Sequence, residues 1–458
     1  MTSVGWIEIR AVRYTCVKDK GQSVYPLQDY IELINEATLK NGSTKVQGVK
    51  CTRNAAASIA LVCSESSYEQ ATLILNRLTG FGVTKTTAFR ITNIVGAEFV
   101  KETPMEIDSS KIVKITDKVR GNILECNVNQ ICHLENKHEI NDIIRKALKD
   151  GVDGILHSDY SGPTIKVMYI LCDGTGVPGR RKELAGVKGK QTDGSAKTFE
   201  AKIGVIFIVE YTVDGKPLLT KNGEIYRNKK AIYMGTVRKV EAFGPLLFQH
   251  ACENGLDNVD SVVFLGDGAT WIRGIQNEYF PYALTGVDLY HSIEHVNSMV
   301  DSIQFKGRSG SNRKKAFKEQ CIELLRCGKI QDILDLVESI LCKKSKVEKL
   351  QSVTNYFRTN MDRMNYGAFT VNGIFVGSGV IEAACKVIVG NRMKHAGMHW
   401  SKDNAEKMIA LRCAIRNGVF LSSYLRTSVI RPSDPRDGMS PISPPSSYSM
   451  SPASACVA

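Results

Sequence analysis

The sequence predicts an α/β fold preceded by a mainly helical region. Two observations favour this class. Apolar runs of strand length alternate with amphipathic helical segments from about residue 160 to residue 295, and the stretches on either side are mainly helical in pattern apart from a short strand-like start at residues 6–17. The 458 residues suffice for roughly two to four domains. The composition, 43% hydrophobic and 23% charged, is ordinary for a globular protein and excludes wholesale disorder.

Strand patterns occur in the central part of the chain. The first is a continuous apolar run at residues 167–172, which we expect to end at Asp173. The others are at residues 201–213, 231–237, 261–265 and 282–289, with helices predicted at residues 240–254 and 270–279. This order, in which a helix precedes each of the last two strands, is that of an RNase H-like core, where three antiparallel strands are followed by parallel ones.

The flanking segments have different compositions. Residues 1–150 are predicted to be mainly helical, with a helix-turn-helix-like segment at residues 66–98. Within it, Ser66 and Glu69 have the spacing of a capping box at the start of the first helix. Residues 431–458 are rich in proline and serine, and they have too little apolar surface to fold. We therefore expect a disordered tail at that end.

The second helix of the helix-turn-helix-like segment begins with polar residues after a glycine-containing break. In this motif the first residues of the second helix can reach the major groove of DNA. Thr84, Lys85 and Thr86 are therefore candidate DNA contacts. A plain helical hairpin without DNA contact is the alternative interpretation.

Charge along the chain favours a polyanionic partner. The formal net charge is +13, and it is concentrated in residues 301–458, which carry +11, whereas residues 1–150 carry +3 and residues 151–300 carry −1. Such a surplus favours nucleic acid, although solvated surface lysines are the alternative. No apolar run has the roughly 18 residues of a membrane-spanning helix, and the start lacks the pattern of a signal peptide. We expect a cytoplasmic protein without membrane contact.

Carboxylates occupy matching places in the predicted core. Asp173 and Asp267 each follow a buried strand and precede a glycine, and Glu382 lies in the first turn of a later helix. Converging carboxylates repel one another unless a cation neutralises them, and Mg²⁺ (or Mn²⁺) prefers such oxygen ligands. Two such ions can assist phosphodiester cleavage. The alternative is that each Asp-Gly is a surface turn and Glu382 a surface residue favoured by the helix dipole.

Several ordered segments support a more specific interpretation. They are the segments at residues 173–178, 188–197, 266–272, 288–291 and 377–386. Together they resemble the ISKra-type insertion-sequence transposases, which are Mutator-like DDE enzymes, and the resemblance spans most of the chain. Relatives often carry a CxxCG-like element near the start, of which this chain keeps only Cys16.

The resemblance implies a catalytic site and a division of the chain. Asp173, Asp267 and Glu382 correspond to the metal-binding DDE triad, and His291 to the histidine of an aspartate–histidine signature. The resemblance also implies a catalytic core divided by an all-helical insertion. The core would comprise residues 160–295 and 371–425, and the insertion residues 296–370.

Basic residues near these carboxylates are candidate phosphate contacts, although any one of them could be a solvated surface residue. They are Arg180, Arg181, Lys188 and Lys190 in the loop between the first two strands, and Lys386, Arg392 and Lys394 after Glu382.

The sequence thus predicts an insertion-sequence transposase that cuts DNA at the ends of its element and transfers the strands with Mg²⁺. Two element ends must be brought together, so we expect double-stranded DNA as a partner and at least a dimer, near the nucleoid of a prokaryote. One alternative is an inactive or truncated transposase-derived protein that only binds DNA. The other is a zinc peptidase, because residues 291–295 fit the HxxEH pattern.

Overall fold

The computed structural model describes residues 51–102, 154–187, 194–227, 230–305, 310–338, 346–377 and 379–426, together with positions 14–15, 23–24, 104, 112 and 189. The predicted tail at residues 431–458 lies outside the described residues. Most of residues 1–50 and 103–150 also lie outside them. In the part of the chain that is described, no helix is both long and apolar enough to cross a membrane.

A helical unit comes first. Its helices are α1 (Arg53–Glu65), α2 (Tyr68–Thr79) and α3 (Lys85–Ala97). The N-cap of α2 is Ser67, whose hydroxyl accepts a hydrogen bond from the Gln70 amide, so the predicted capping box at Ser66 is wrong by one residue. Ser66 instead ends α1, where its hydroxyl donates to the Val62 carbonyl.

A five-stranded mixed sheet forms the centre of the molecule. Its strands are β1 (Thr164–Pro178), β2 (Thr198–Thr212), β3 (Ile232–Thr236), β4 (Ser261–Gly266) and β5 (Leu284–Val287), in the spatial order β3-β2-β1-β4-β5. β2 is antiparallel to β1 and β3, whereas β1, β4 and β5 are parallel to one another. Helix α4 (Val240–Glu253) lies between β3 and β4 along the chain, and α5 (Thr270–Tyr279) connects β4 to β5. The α/β class and the directions expected for the strands are confirmed.

The first strand is longer than predicted. It continues past Asp173 to Pro178, because residues 173–178 pair antiparallel with the start of β2. Its parallel neighbour β4 ends at Gly266, and the pairing of the two strands stops at Leu171 and Leu265. Asp173 is therefore in the middle of a strand, at the point where the parallel half of the sheet ends.

Helices predominate after β5. They are α6 (Leu289–Val300), α7 (Gly310–Arg326), α8 (Ile330–Glu338), α9 (Val347–Asn360) and α10 (Tyr366–Val371), followed by α11 (Gly379–Cys385), a π-helical segment (Lys386–Gly390), α12 (Asn391–Met393), α13 (Lys402–Arg416) and α14 (Phe420–Arg426). Short two-residue strands pair Tyr14–Thr15 with Ser23–Val24, and Ile155–Leu156 with Leu218–Leu219.

The alternation of side chains along β1 divides the core between the two faces of the sheet. Met168 and Ile170 point to the face that packs against α4 and α5. Tyr169 and Leu171 point to the opposite face, which packs against the helices that follow β5. A further cluster joins α1, α2 and α3 to α13 and α14.

Candidate active site

Asp173 is held by contacts from two directions. Its Oδ1 accepts a hydrogen bond of 2.6 Å from the Gly174 amide, and its Oδ2 accepts one of 3.5 Å from the thiol of Cys385, one turn after Glu382. Burial and the negative charge of Asp267 raise the pKa of the Asp173 carboxyl above its ordinary value, while the two hydrogen bonds and His291 act in the opposite direction. A carboxylate in this position is poorly neutralised by the protein alone.

Asp267 lies in a tight turn directly after β4. Its Oδ1 accepts a hydrogen bond of 2.9 Å from the Ala269 amide, and the next residue, Gly268, has a φ of 90° that favours glycine. The hydroxyl of Tyr356 on α9 donates to the Asp267 carbonyl at 3.2 Å. A Cβ at Gly268 would lie 2.9 Å from the Tyr356 ring, so the helix and the turn are in close contact.

The three predicted carboxylates line one cavity of about 140 Å³. Asp173 and Asp267 enter it from β1 and from the end of β4, and the exposed Glu382 enters from the first turn of α11. The segment before α11 is tied to the start of α6, since the Leu289 amide donates to the Val376 carbonyl at 2.9 Å. Their catalytic and metal-binding roles stay predictions.

Asp288 also lines this cavity, and it was not among the predicted site residues, since only its place in the 288–291 segment pointed to it. It is 3% exposed and caps α6, where its Oδ1 accepts from the His291 amide at 2.9 Å. Its Oδ2 is buried and has no hydrogen-bond partner among the described residues. A buried carboxylate oxygen without a partner is costly, so this atom favours a cation in the cavity.

Two histidines lie beside the carboxylates. His291 lines the cavity, and its Nε2 is 3.2 Å from the Nε2 of His295. The His295 ring stacks on Tyr356 with 3.7 Å between ring centroids. Burial and the neighbouring His291 lower the pKa of His295 to about 4, so His295 is neutral at neutral pH. Tyr356 therefore contacts both the Asp267 turn and the histidine pair.

The donor chemistry of the cavity suits a hard divalent cation, because four carboxylates contribute oxygen atoms and one of those atoms is buried and unpartnered. As the side chains stand, no three His, Cys, Asp or Glu residues of the described part are grouped closely enough to hold a metal ion. The residues fit Mg²⁺ by ligand type, and the carboxylates must draw together to hold it.

The predicted DNA contacts near the cavity differ in their exposure to solvent. Arg180 and Arg181 are exposed where the β1 strand ends, and Lys386 and Lys394 are exposed beyond Glu382. The Lys394 ammonium donates to the Thr175 hydroxyl at 2.7 Å, two residues from Asp173. Lys394 thus lies close to the carboxylate of Asp173. Lys188 and Lys190 lie outside the described residues.

Arg392 is the exception, because its side chain is fully buried and cannot contact DNA. Its Nε donates to the Cys63 carbonyl at 2.7 Å, and its guanidinium lies over the rings of Tyr68 and Trp400. Trp400 is itself 7% exposed, and its indole N–H donates to the Met393 carbonyl. The prediction of a DNA contact at Arg392 is therefore wrong, since a basic residue near Glu382 serves here to join α1 to the core.

The candidate contacts on α3 are exposed. The Thr84 hydroxyl caps the helix by accepting from the Thr87 amide, and Lys85 forms an exposed ion pair of 3.2 Å with Glu69 on α2. Thr86 is also exposed. The surface is open to a partner, and DNA contact there stays a prediction.

Comparisons with known proteins give distant similarities. No protein-family model matches the chain. The UPF0236 protein in vanSb 3'region of Streptococcus gallolyticus is 30% identical over 149 residues, which cover 32% of this chain and 30% of that protein. The chain thus matches less than a third of the length of this relative. Among solved structures, the Drosophila P element transposase strand transfer complex is similar with a TM-score of 0.33 and 8% identity, over 84% of this chain and 95% of that chain.

Proposed function

We propose that this chain is a DDE-type DNA transposase of an insertion sequence. The observation that carries the proposal is the convergence of Asp173, Asp267 and Glu382 on one cavity, although more than 200 residues separate the first from the last. Three surface acids that had no common role and lay this far apart in sequence would not be expected to meet at one place in the fold. Carboxylates that line one cavity can hold the cations that assist phosphodiester cleavage once their side chains draw together.

The sheet supports an RNase H-like core. The spatial order of its strands, with the first three antiparallel and the last two parallel to the first, is the order expected for that fold. In this interpretation the helices from α7 to α10 belong to an insertion in the core. Asp173 then lies on β1 and Asp267 directly after the adjacent strand β4, at the edge where ligands bind in open sheets.

Asp173, Asp267 and Glu382 would hold divalent cations, with the Asp288 Oδ2 as a further oxygen donor. Bound Mg²⁺ or Mn²⁺ supplies activation of the attacking oxygen and stabilisation of the leaving oxygen. The chain itself orients these ligands. The Gly174 amide and Cys385 thiol hold the Asp173 carboxylate, and the Ala269 amide holds that of Asp267.

The exposed cations around the cavity would hold the DNA backbone. Arg180 and Arg181 lie on one element, and Lys386 and Lys394 on another, so phosphates on either side of the scissile bond can be neutralised. The start of α3 would read the element ends, as in a helix-turn-helix. Bringing two ends together requires at least a dimer, and the substrate places the protein at the nucleoid of a prokaryotic cell.

The test is cleavage of a supercoiled plasmid carrying the DNA that flanks the gene for this chain. We expect nicking with MgCl₂ and none with EDTA. Asp173→Asn, Asp267→Asn and Glu382→Gln should each reduce nicking at least about 1,000-fold, as the loss of several kcal/mol of transition-state stabilisation implies, and retain DNA binding. Glu241→Gln is the matched control, because Glu241 is also an exposed residue in the first turn of a helix.

A DNA-binding protein that no longer cuts is the second candidate. It is favoured by the absence, among the described residues, of three ligands already grouped around a metal position. Binding of the flanking DNA without any nicking would support it and contradict the transposase. A zinc peptidase is less well supported, because that reaction gives no role to Asp173 and Asp267, which line the same cavity as His291.

A further inference from the structure

A second, larger cavity adjoins the carboxylates on the same face of the sheet. It has a volume of about 950 Å³ and shares Leu171, Leu265 and Gly377 with the carboxylate cavity. We propose that this cavity binds an unpaired nucleobase of the DNA strand whose backbone lies at the carboxylates. The proposal rests on the proposed function, and it adds a subsite for the substrate.

Aromatic side chains form the walls of this cavity. The partly exposed rings are Tyr226, in the segment after the short strand Leu218–Leu219, and Phe375, in the segment before α11. Tyr169 and Phe207 of the sheet also line the cavity, but they are buried and stack on each other, with ring centroids 5.2 Å apart and an interplanar angle of 1°. Bases that leave the helical stack are bound in proteins by stacking on such rings, irrespective of sequence.

The position along β1 matches a nucleotide held at the active site. Tyr169, Leu171 and Asp173 follow one another at intervals of two residues along β1, so their side chains lie on the same face of the sheet. At about 3.3 Å per residue, Tyr169 is about 13 Å and Leu171 about 7 Å from Asp173 along the strand. One or two nucleotides of a single strand bridge this separation.

Polar groups in the cavity suit the other parts of a nucleotide. The exposed Arg227 lies with its guanidinium 4.4 Å from the centroid of Phe207, at a position where it can meet a phosphate. Thr220 has a buried hydroxyl with no hydrogen-bond partner among the described residues. Glu224, which also lines the cavity, provides an acceptor for an amino group of a base.

Two of the aromatic residues that line the cavity are held in place by contacts with residues outside it. The Tyr226 ring stacks on His157, with 3.7 Å between centroids. The Tyr169 hydroxyl is bonded to the Tyr211 hydroxyl at 2.7 Å and accepts from the Phe375 amide at 3.3 Å. These contacts fix two of the rings before any ligand binds, which lowers the entropy cost of binding.

The experiment compares two fluorescent single strands of equal length and charge, oligothymidine and an oligomer of abasic residues. Affinities are measured at physiological salt with CaCl₂. Since stacking contributes about 1–3 kcal/mol per base, we expect the wild-type protein to bind oligothymidine about 10-fold more tightly than the abasic strand.

Two variants locate the base. Gly379→Trp fills the cavity, because Gly379 lines it and a Cβ there meets no atom within 4 Å. Phe375→Leu removes an aromatic wall. Both should reduce the preference for bases to less than about twofold, as loss of the stacking contribution implies. The matched control is Gly274→Trp on α5, another exposed helical glycine with open space at its Cβ. It should retain the preference.

Equal binding of the two strands by wild-type protein would overturn this inference, and so would a preference that persists in Gly379→Trp. That variant decides the result if Phe375→Leu does not fold. Nicking is scored separately. Cleavage without a base preference would leave the transposase proposal standing and refute the base subsite. A base preference without cleavage would support the base subsite and contradict the transposase proposal.

Discussion

Asp173 carries an electrostatic cost that its proposed role explains. Burial and Asp267 raise its pKa in the folded protein above the value of about 3.9 expected in the unfolded chain. The folded state therefore binds this proton more tightly, and ionised Asp173 lowers the free energy of unfolding. The cost is fully present above the folded-state pKa and disappears as the pH falls below the unfolded one.

In the absence of metal, Asp173→Asn should accordingly stabilise the protein at neutral pH. We expect the melting temperature in EDTA to rise by about 1–2 °C at pH 7.5, as for a gain of about 1 kcal/mol, and the difference from wild type to vanish below about pH 3.9. Asp332→Asn, at an exposed position on α8, is the control and should change little. A variant less stable than wild type at pH 7.5 would contradict this account.

Addition of MgCl₂ gives a related readout at the same residue. An ion that binds only the folded state raises the melting temperature. We expect this rise in the wild-type protein and little of it in Asp173→Asn, because the variant lacks one of the proposed ligands.

At the scale of elements, α9 buttresses the turn that carries Asp267. Tyr356 combines a hydrogen bond to the Asp267 carbonyl with a stack on His295. Nearby, Arg273 on α5 donates to the Thr359 carbonyl and pairs with Asp362 at 3.0 Å. The helices after β5 thus touch the candidate site directly, and Tyr356 is a positioning residue for Asp267.

Tyr356→Leu should slow nicking about 100-fold and leave DNA affinity within about twofold, because small displacements of a reacting group cost rates of that order. Tyr356→Phe keeps the stack and loses one neutral hydrogen bond, so we expect a loss of only about 2- to 10-fold. Gln351→Ala, at an exposed position of the same helix, is the control. Wild-type rates in Tyr356→Leu would show that α9 has no positioning role.

At the scale of the whole molecule, buried arginines join the helical unit to the sheet domain. Arg412 is 1% exposed and donates to the carbonyls of Val387 and Ile388 in the π-helical segment, and to that of Ser64 near the end of α1. Arg392 bonds the Cys63 carbonyl in the same turn of α1. The last carbonyls of a helix lack partners within it, so these guanidiniums satisfy groups that would otherwise be buried and unbonded.

Arg412→Met should lower the free energy of unfolding by about 3 kcal/mol, since it leaves three carbonyls without this donor. The corresponding fall in melting temperature is about 3–5 °C. Arg416→Met is the matched control, because Arg416 forms only an exposed pair with Glu65 at 3.0 Å, and it should cost less than about 1 kcal/mol. Equal melting temperatures for the two variants would contradict this role of Arg412.

Sequence patterns located most of the regular structure, because hydrophobic periodicity reports local burial. The predicted helix at residues 270–279 has the bounds observed for α5, and the predicted strand at residues 261–265 is one residue short of β4. The predicted first strand ends before β1 does, because Asp173, Gly174 and Gly176 are poor strand formers. Antiparallel pairing with β2 overrides that local preference.

Most of the strand and helix pattern, the surplus of positive charge and the candidates Asp173, Asp267 and Glu382 can be read from the amino-acid order alone. Which polar residues are buried depends on how distant segments pack together. This packing placed Arg392 in the interior, left the Asp288 Oδ2 without a partner and brought four aromatic rings to one cavity. The reason is physical: periodicity along the chain records which face of an element is apolar, whereas the partners of a charged or aromatic side chain come from segments far apart in sequence.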